Sequence, residues 1–304
     1  MLAEDFACHF IIRNPLPALQ AQILEVCQRM IELPATEDDE AEARKLADEY
    51  LIGQEIVVLD GYYFKTDYQR IIKSKGCKLV CIDDIHAYHF VADAVINHAG
   101  GVSTSDYSTE PYTQFYLGLK YALVRKPFRE AAVNRNFHVI EDENALICFG
   151  GADPQNDTLK TLARCEELFP QNKYKVIVGA AYKFEDELQS FLRKSRLDVE
   201  ITTGLTAQQM ANLMKSCKTA ITAPSTIAYE YLAIGGTLFL KVTARNQLDI
   251  FSYFIQENLA FSWDEFSNIS KENKGNALAR QHALFDGQTN YRLKSIFNSL
   301  LENV

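Results

Sequence analysis

The chain reads as an α/β protein of two domains, each a parallel sheet covered by helices. Three observations carry this reading. The 304 residues are enough for two domains at roughly 150 residues each, with a core in both that needs no disulfide or metal staple. Short apolar runs rich in β-branched residues alternate with amphipathic stretches of helix length, the βαβα pattern of a parallel sheet. The alternation is interrupted once, over 126–143, where Pro127 is followed by the charged residues Arg129, Glu130, Arg135, Glu141, Asp142 and Glu143. That break divides the chain into 1–140 and 141–304.

Taken in order, the strand-like runs fall at 6–12, 56–60, 78–82, 94–96, 145–149, 174–178, 199–202, 219–222 and 237–241. Between them, 36–49 predicts a helix in which Thr36 caps the start and Asp39 takes the capping-box position, with Leu46 and Tyr50 on the buried face. Further helices are expected over 157–169 and over 208–216, where Met210, Leu213 and Met214 recur at helical spacing, and over 291–301 as a closing element. The polar stretch 268–275 reads as a loop. No internal repeat or low-complexity tract is visible.

Composition excludes several function classes. Forty acidic residues against 31 basic ones give a net charge of −9, and with no Lys/Arg block the chain repels a phosphate backbone, so nucleic acid is not an expected partner. The apolar runs are far below the ~20 residues that span a bilayer. Acids at Glu4 and Asp5 stand where a signal peptide carries Lys or Arg, which makes the cytoplasm the expected compartment. The seven cysteines are odd in number, and Cys8, Cys81 and Cys148 lie in apolar runs, as reduced core thiols do.

Several constellations could carry chemistry. The run 145–149 leads into Gly150-Gly151 and then the helix 157–169, so a ligand can approach the backbone and the helix start favours an anion; a plain tight turn explains the glycines equally well. The run 219–222 ends in Ala223-Pro224, and Ser225-Thr226 opens a helix with Glu230 just over one turn in. Such a start can hold a diphosphate while the carboxylate takes both hydroxyls of a ribose; the bland alternative is a Ser N-cap and a solvated Glu. Asp83, Asp84, His86, His89, Asp93 and His98 crowd one stretch, but His86-x-x-His89 lacks the spacing of a zinc helix. Loop residues facing a substrate are expected there, with no metal. After the run 56–60, Tyr62 or Tyr63 could hydrogen-bond a ligand or pack as an aromatic pair, and 121–125 is expected to pack at the domain boundary.

Nine short stretches follow one another along the chain: Val57-Val-Leu-Asp-Gly-Tyr62, Cys81-Ile-Asp-Asp84, Ala94-Val-Ile-Asn97, Ser105-Asp-Tyr107, Gly118 to Arg125, Phe149-Gly-Gly-Ala-Asp153, Ser225 to Glu230, Arg245-Asn-Gln247 and Asp286-Gly-Gln-Thr-Asn-Tyr-Arg292. In them the chain resembles the nucleotide-sugar hydrolase family of pseudaminic acid biosynthesis, UDP-2,4-diacetamido-2,4,6-trideoxy-β-L-altropyranose hydrolase, and its spore-coat polysaccharide relatives. The resemblance implies two Rossmann-like domains facing across a cleft, as in the GT-B glycosyltransferases, and a UDP-sugar substrate with no cofactor. It further implies that Glu230 takes the ribose, Ser225 and Thr226 the phosphates beside Gly150 and Gly151, and that Thr203 to Leu205 lie near the uracil. Asn246 and Gln247 would face the sugar-diphosphate, Tyr62 and Asn246 would serve catalysis, and Asp60, Asp83 and Asp84 would form the substrate-side loop. Water would attack the anomeric carbon with C–O cleavage, releasing UDP and free sugar.

One departure stands against these matches. The family opens with a strand, a Gly-x-Gly-His-x-x-Arg loop and a helix, and the loop histidine is its principal catalytic residue. Here Met1 to Asp5 reads as the end of that helix, and His9 falls inside the next strand. The expectation is an incomplete N-terminal domain, with the missing strand and loop encoded upstream of Met1. Two alternatives stand beside hydrolysis: a glycosyltransferase using a UDP-sugar donor, and a catalytically defective nucleotide-sugar binder.

Overall fold

The computed structural model describes residues 1–134, 144–266 and 268–302. The chain divides into two compact units, Met1–Tyr121 together with the stretch from Thr289, and Ala122–Gln288. In the first unit β1 (His9–Arg13), α1 (Pro17–Leu24) and β2 (Arg29–Leu33) are followed by α2 (Asp39–Tyr50), β3 (Ile56–Asp60), α3 (Thr66–Lys73) and β4 (Lys78–Ile82). Then come β5 (His89–Phe90), β6 (Ala94–Asn97), β7 (Ser108–Thr109) and β8 (Gln114–Leu117). Four strands form a parallel sheet in the order β3-β4-β6-β8, while β1 pairs with β2 and β5 with β7, both also in parallel. Neither β1 nor β3 pairs on its other edge with a described strand. The interior strands β4 and β6 read as continuous apolar runs because both of their faces are covered: Leu79, Val80, Ala94 and Val95 are wholly buried, whereas Val58 on the edge strand is 41% exposed.

The second unit comprises α4 (Lys126–Val133), β9 (Asn144–Cys148), α5 (Asp157–Leu168), β10 (Lys173–Ile177), α6 (Glu185–Leu192), β11 (Asp198–Thr202) and α7 (Ala207–Lys215). It continues through β12 (Thr219–Thr222), α8 (Thr226–Ile234), β13 (Thr237–Leu240), α9 (Leu248–Gln256), β14 (Phe261–Ser262) and α10 (Lys271–Leu284). Its six strands form one parallel sheet in the order β11-β10-β9-β12-β13-β14. The closing helix α11 (Thr289–Glu302) belongs to the first unit, where Lys294 meets Glu4 and Asp5 and Phe297 meets Phe6 edge-on.

The expected strands are all present within a few residues. The differences have local causes. Helix α2 starts at Asp39 because Asp38, not Thr36, is its cap: Asp38 accepts from the Ala41 N–H at 2.9 Å, and Thr36 only accepts from Asp38 N–H. Acids at Asp39, Glu40 and Glu42 then complement the positive helix end. Residues 271–275, expected as loop, open α10, with Ser270 accepting from Asn273 N–H; the stretch is polar because this helix start faces water. The interrupting stretch begins as α4, and Arg135, Glu141, Asp142 and Glu143 lie outside the described residues. Cys8 precedes β1 and is only half-buried, unlike Cys81 and Cys148.

The core of the first unit gathers Leu46, Leu59, Tyr68, Ile72, Leu79 and Val95, with Ile11 and Ile31 packed against it. At its rim Arg13 donates to Glu42 at 2.5 and 2.9 Å and to Asp39 at 2.8 Å, and lies 4.0 Å over the Tyr63 ring. This grip, Glu42 first, raises the Arg13 pKa further.

In the second unit, burial pushes the thiols of Cys148, Cys165 and Cys217 up to about 11, 12 and 11. Each therefore holds its proton more tightly folded than unfolded. Stability should be full below about pH 8.5 and fall as the pH rises toward those values, by at most about 1.4 kcal/mol per thiol per pH unit. Urea unfolding between pH 8 and 10 checks this, and Cys165→Ala should flatten the slope.

Candidate functional site

Strands β9 and β12 are neighbours, with Cys148 opposite Thr222. From β9 the chain crosses through α5 to β10, and from β12 it crosses through α8 to β13, in the opposite direction along the sheet. Right-handed crossovers therefore send α5 and α8 to opposite faces, and the carboxyl ends of β9 and β12 are the switch point at which α/β sheets of this kind offer a crevice for a ligand. Leu162 and Cys165 of α5 pack with Ile147, Ile221 and Phe239 on one face. Gly150-Gly151 and Ala223-Pro224-Ser225 are the two loops at this point, so the two glycine- and serine-bearing motifs of the sequence stand side by side.

Their local chemistry differs from what the sequence suggests. Gly150 has φ +90, and a side chain at Gly150 or Gly151 would meet only open space. The α5 start is not free for an anion. Buried Asp153, held at φ 40, already accepts from the Asp157 and Thr158 N–H groups, both at 2.8 Å. At α8 the reverse holds: Ser225 stands at the N-cap with extended backbone and makes no capping hydrogen bond. The amides of α8, and not those of α5, are thus the ones left uncapped by a side chain.

Glu230, in the second turn of α8, is no solvated helix residue. Its side chain is 2% exposed, and both its oxygens accept from Arg125, from Nε at 2.6 Å and from Nη2 at 2.9 Å. Arg125 precedes α4, which packs against α8, and its guanidinium lies 5.2 Å from the Phe128 ring centroid. Glu230 and Asp153 stand close enough to Cys148 to add to its raised pKa after burial. Just beyond β13, Lys241 reaches Asp157 at 2.8 Å beside the Phe149 ring.

The remaining nominated residues of this unit divide. Gln247 is occupied: its Oε1 accepts from Thr243 N–H at 2.8 Å and from Ala244 N–H, closing the turn Arg245–Gln247. Asn246 is exposed on that turn. Thr203, Gly204 and Leu205 follow β11, two strands from β9.

In the first unit a second polar cluster sits at the carboxyl ends of the neighbouring strands β3, β4 and β6. Tyr62 is 64% exposed and donates to Asp84 at 2.9 Å; Tyr63 is the partner that packs, 4.2 Å from Phe64. Tyr107 donates to Asp83 at 2.9 Å and accepts from buried Asn97 at 2.8 Å. Partial burial and then the Asp84 charge raise the Asp60 carboxyl, the Asp84 hydrogen bond raises the Tyr62 phenol, and burial lowers His98 against the pull of Asp84. The acidic and histidine stretch does not act as one group. His89 bonds Ser108 and Glu110, and Asp93 bonds Lys73 and the Leu79 N–H. Among the described residues no three His, Cys, Asp or Glu side chains gather as a metal group, and no helix is long and apolar enough to cross a membrane.

No known protein-family profile matches the chain. It is 29% identical over 194 residues to an uncharacterised protein of Methanocaldococcus jannaschii, a match covering 60% of this chain and 39% of that one. Over 148 residues it is 28% identical to the spore coat polysaccharide biosynthesis protein SpsG of Bacillus subtilis, covering 47% and 42%. The matches thus span about two fifths of these relatives' lengths. Among solved structures it is similar to MurG of Acinetobacter baumannii, with TM-score 0.58, 9% identity and coverage of 95% and 90%. The calicheamicin glycosyltransferase CalG4 gives 0.63, 10%, 97% and 91%, and a UDP-N-acetylglucosamine 2-epimerase gives 0.55, 10%, 93% and 85%. The fold is the α/β fold of these glycosyltransferases and epimerases, two Rossmann-like domains with parallel sheets.

Sequence reasoning missed Arg125 as a partner of Glu230, since nothing local signals a pair 105 positions apart. It also missed Gly179, where an added Cβ would run into the Gly151 backbone. Gly179→Ala should therefore cost about 1–3 kcal/mol by forcing that loop to move, whereas Gly151→Ala, facing open space, should be close to neutral. Denaturant unfolding of the two variants side by side checks the contrast.

Proposed function

We propose that the chain binds a UDP-sugar and transfers its glycosyl group to an acceptor in surface polysaccharide biosynthesis. The observation that carries this reading is the placement, at the carboxyl ends of the neighbouring strands β9 and β12, of bare backbone at Gly150-Gly151 and of the start of α8, uncapped by a side chain, with the buried carboxylate of Glu230 in its second turn. A diphosphate suits the α8 amides and the Ser225 and Thr226 hydroxyls, because the helix end carries partial positive charge. A carboxylate one turn later suits a ribose diol, which offers two donors to its two oxygens. The relationship to the spore coat polysaccharide protein and the fold shared with MurG and CalG4 support the same class.

In this reading the acceptor hydroxyl attacks the anomeric carbon, the bond from that carbon to the phosphate oxygen breaks, and UDP leaves with the electron pair. The acceptor's proton goes to a base. Among the first-unit residues, Tyr62 suits a donor role, since its raised pKa keeps the phenol protonated. Asp84, its hydrogen-bond partner, and His98, which its lowered pKa keeps neutral at pH 7, are the acceptor candidates. Asn246 stays a candidate through the resemblance in Arg245-Asn-Gln247.

Hydrolysis is the second reading, favoured by the exposure of the Tyr62–Asp84 pair, which leaves water a direct approach. Incubation with a panel of UDP-sugars, with and without acceptors, in ¹⁸O-labelled water separates the outcomes by mass spectrometry. Glycosylated acceptor marks transfer. Free sugar carrying the label, beside unlabelled UDP, marks hydrolysis with C–O cleavage, and UDP binding without product marks a binder. Glu230→Ala should weaken UDP binding about 10- to 150-fold in calorimetry, the loss of hydrogen bonds to a charged group at about 1.5–3 kcal/mol; unchanged affinity removes Glu230 from the site.

A further inference from the structure

We propose that Arg125 is the resting partner of Glu230 and that the ribose diol displaces it, so that nucleoside binding is an exchange of hydrogen-bond partners and not the filling of an open acceptor. The inference rests on the nucleotide reading above and deepens it.

A carboxylate as buried as Glu230 is stable only when paired and hydrogen-bonded. Here the pairing is the guanidinium fork, one nitrogen to each oxygen at 2.6 and 2.9 Å. The two partners differ sharply in exposure: the Glu230 side chain is 2% exposed and that of Arg125 is 48%. Arg125 thus lies on the solvent side of the pair. A diol approaching Glu230 from solvent meets the guanidinium first, and the edge of the carboxylate that would accept two hydroxyls is the edge already in use.

The exchange is chemically balanced. Two N–H donors leave the carboxylate and two O–H donors replace them, with no change in the charge of Glu230. The released guanidinium has water at hand and a diphosphate in the same ligand to attract it. Its side chain starts from the residue before α4, so the head can move without disturbing the helix. Arg125 is on this account a positioning residue that holds the Glu230 carboxylate in one orientation while the site is empty.

The test is calorimetric titration of the wild-type chain, Arg125→Gln, Arg125→Lys and Glu230→Gln with UDP and with 2′,3′-dideoxy-UDP, which lacks the diol. Exchange predicts that the preference for UDP over the dideoxy analogue rises at least about fivefold in Arg125→Gln and also rises in Arg125→Lys, because a competitor has been removed or weakened. It falls toward unity in Glu230→Gln. If the preference falls in both Arg125 variants as it does in Glu230→Gln, Arg125 stays in place and helps to hold the diol, and the exchange is wrong while the nucleotide site stands. If no form of the protein binds UDP, the nucleotide reading fails and the exchange with it. A wild-type chain that binds UDP weakly or not at all beside an Arg125→Gln chain that binds it supports the exchange.

A second measurement needs no stable variant beyond Arg125→Lys, which identifies the signal by its loss. In ¹⁵N-labelled wild-type protein the Arg125 Nε–H resonance should lose its hydrogen-bonded shift on adding UDP and keep it with the dideoxy analogue. A resonance unmoved by saturating UDP overturns the exchange.

Discussion

The handedness of the crossovers at β9 and β12 is the constraint on which the second unit's candidate site depends. Two adjacent parallel strands, continued in opposite directions along the sheet, leave their following helices on opposite faces. Everything that makes the crevice chemically interesting sits there as a consequence. Gly150 takes φ +90, which disfavours a side chain, Gly151 faces open space, and Gly179 has no room for a Cβ because the Gly151 backbone lies against it. The two helix starts are then differentiated by their caps: Asp153 closes α5 with its own carboxylate, and Ser225 leaves α8 without a side-chain cap.

Charge burial follows one pattern in both units. Glu42 is nearly buried and carries Arg13 and the Tyr68 hydroxyl, and Glu230 is buried and carries Arg125. In each case a partly exposed arginine, Arg13 much less so than Arg125, closes a buried carboxylate with a bidentate or three-point grip, as removal from water demands. The Arg13 cluster joins β1 to α2 and, through Tyr68, to α3, so its role is to hold elements together. The Arg125 pair lies beside the crevice, which gives the same chemistry a different setting.

How much of this was legible follows from where information is local. Strands buried on both faces, such as β4, β6 and β9, announce themselves as apolar runs. Strand β2 does not, because Arg29 and Glu32 interrupt it and its burial is partial. The start of α10 hid as a polar stretch because a helix end in water needs only its Ser270 cap. The positions of Ser225, Glu230 and the glycines at strand ends were readable, since strand-end loops in parallel sheets have a recognisable grammar. The partners of Glu230 and Asp83 were not, since Arg125 and Tyr107 reach them across 105 and 24 positions. Ser105-Asp-Tyr107, Cys81-Ile-Asp-Asp84 and Ala94-Val-Ile-Asn97 entered the sequence reading as separate matches, and a single chain of hydrogen bonds from Asp83 through Tyr107 to Asn97 makes them one feature.

That no described strand pairs with the outer edges of β1 and β3 has a bearing on how the molecule behaves among copies of itself. Sheet edges in soluble proteins are commonly blunted by lysines, prolines or bulges. Neither edge has such a guard within the strand: β1 is His-Phe-Ile-Ile-Arg, with Phe10 42% exposed, and β3 is Ile-Val-Val-Leu-Asp, with Val58 41% exposed. Both are rich in β-branched residues, the composition that favours strand addition, while their shortness limits how much of a partner either can hold. Whatever segment or neighbour pairs with these edges adds backbone hydrogen bonds that the core does not supply. Association through these edges and the stability of the first unit are thereby coupled, so that the stability it shows depends on its concentration.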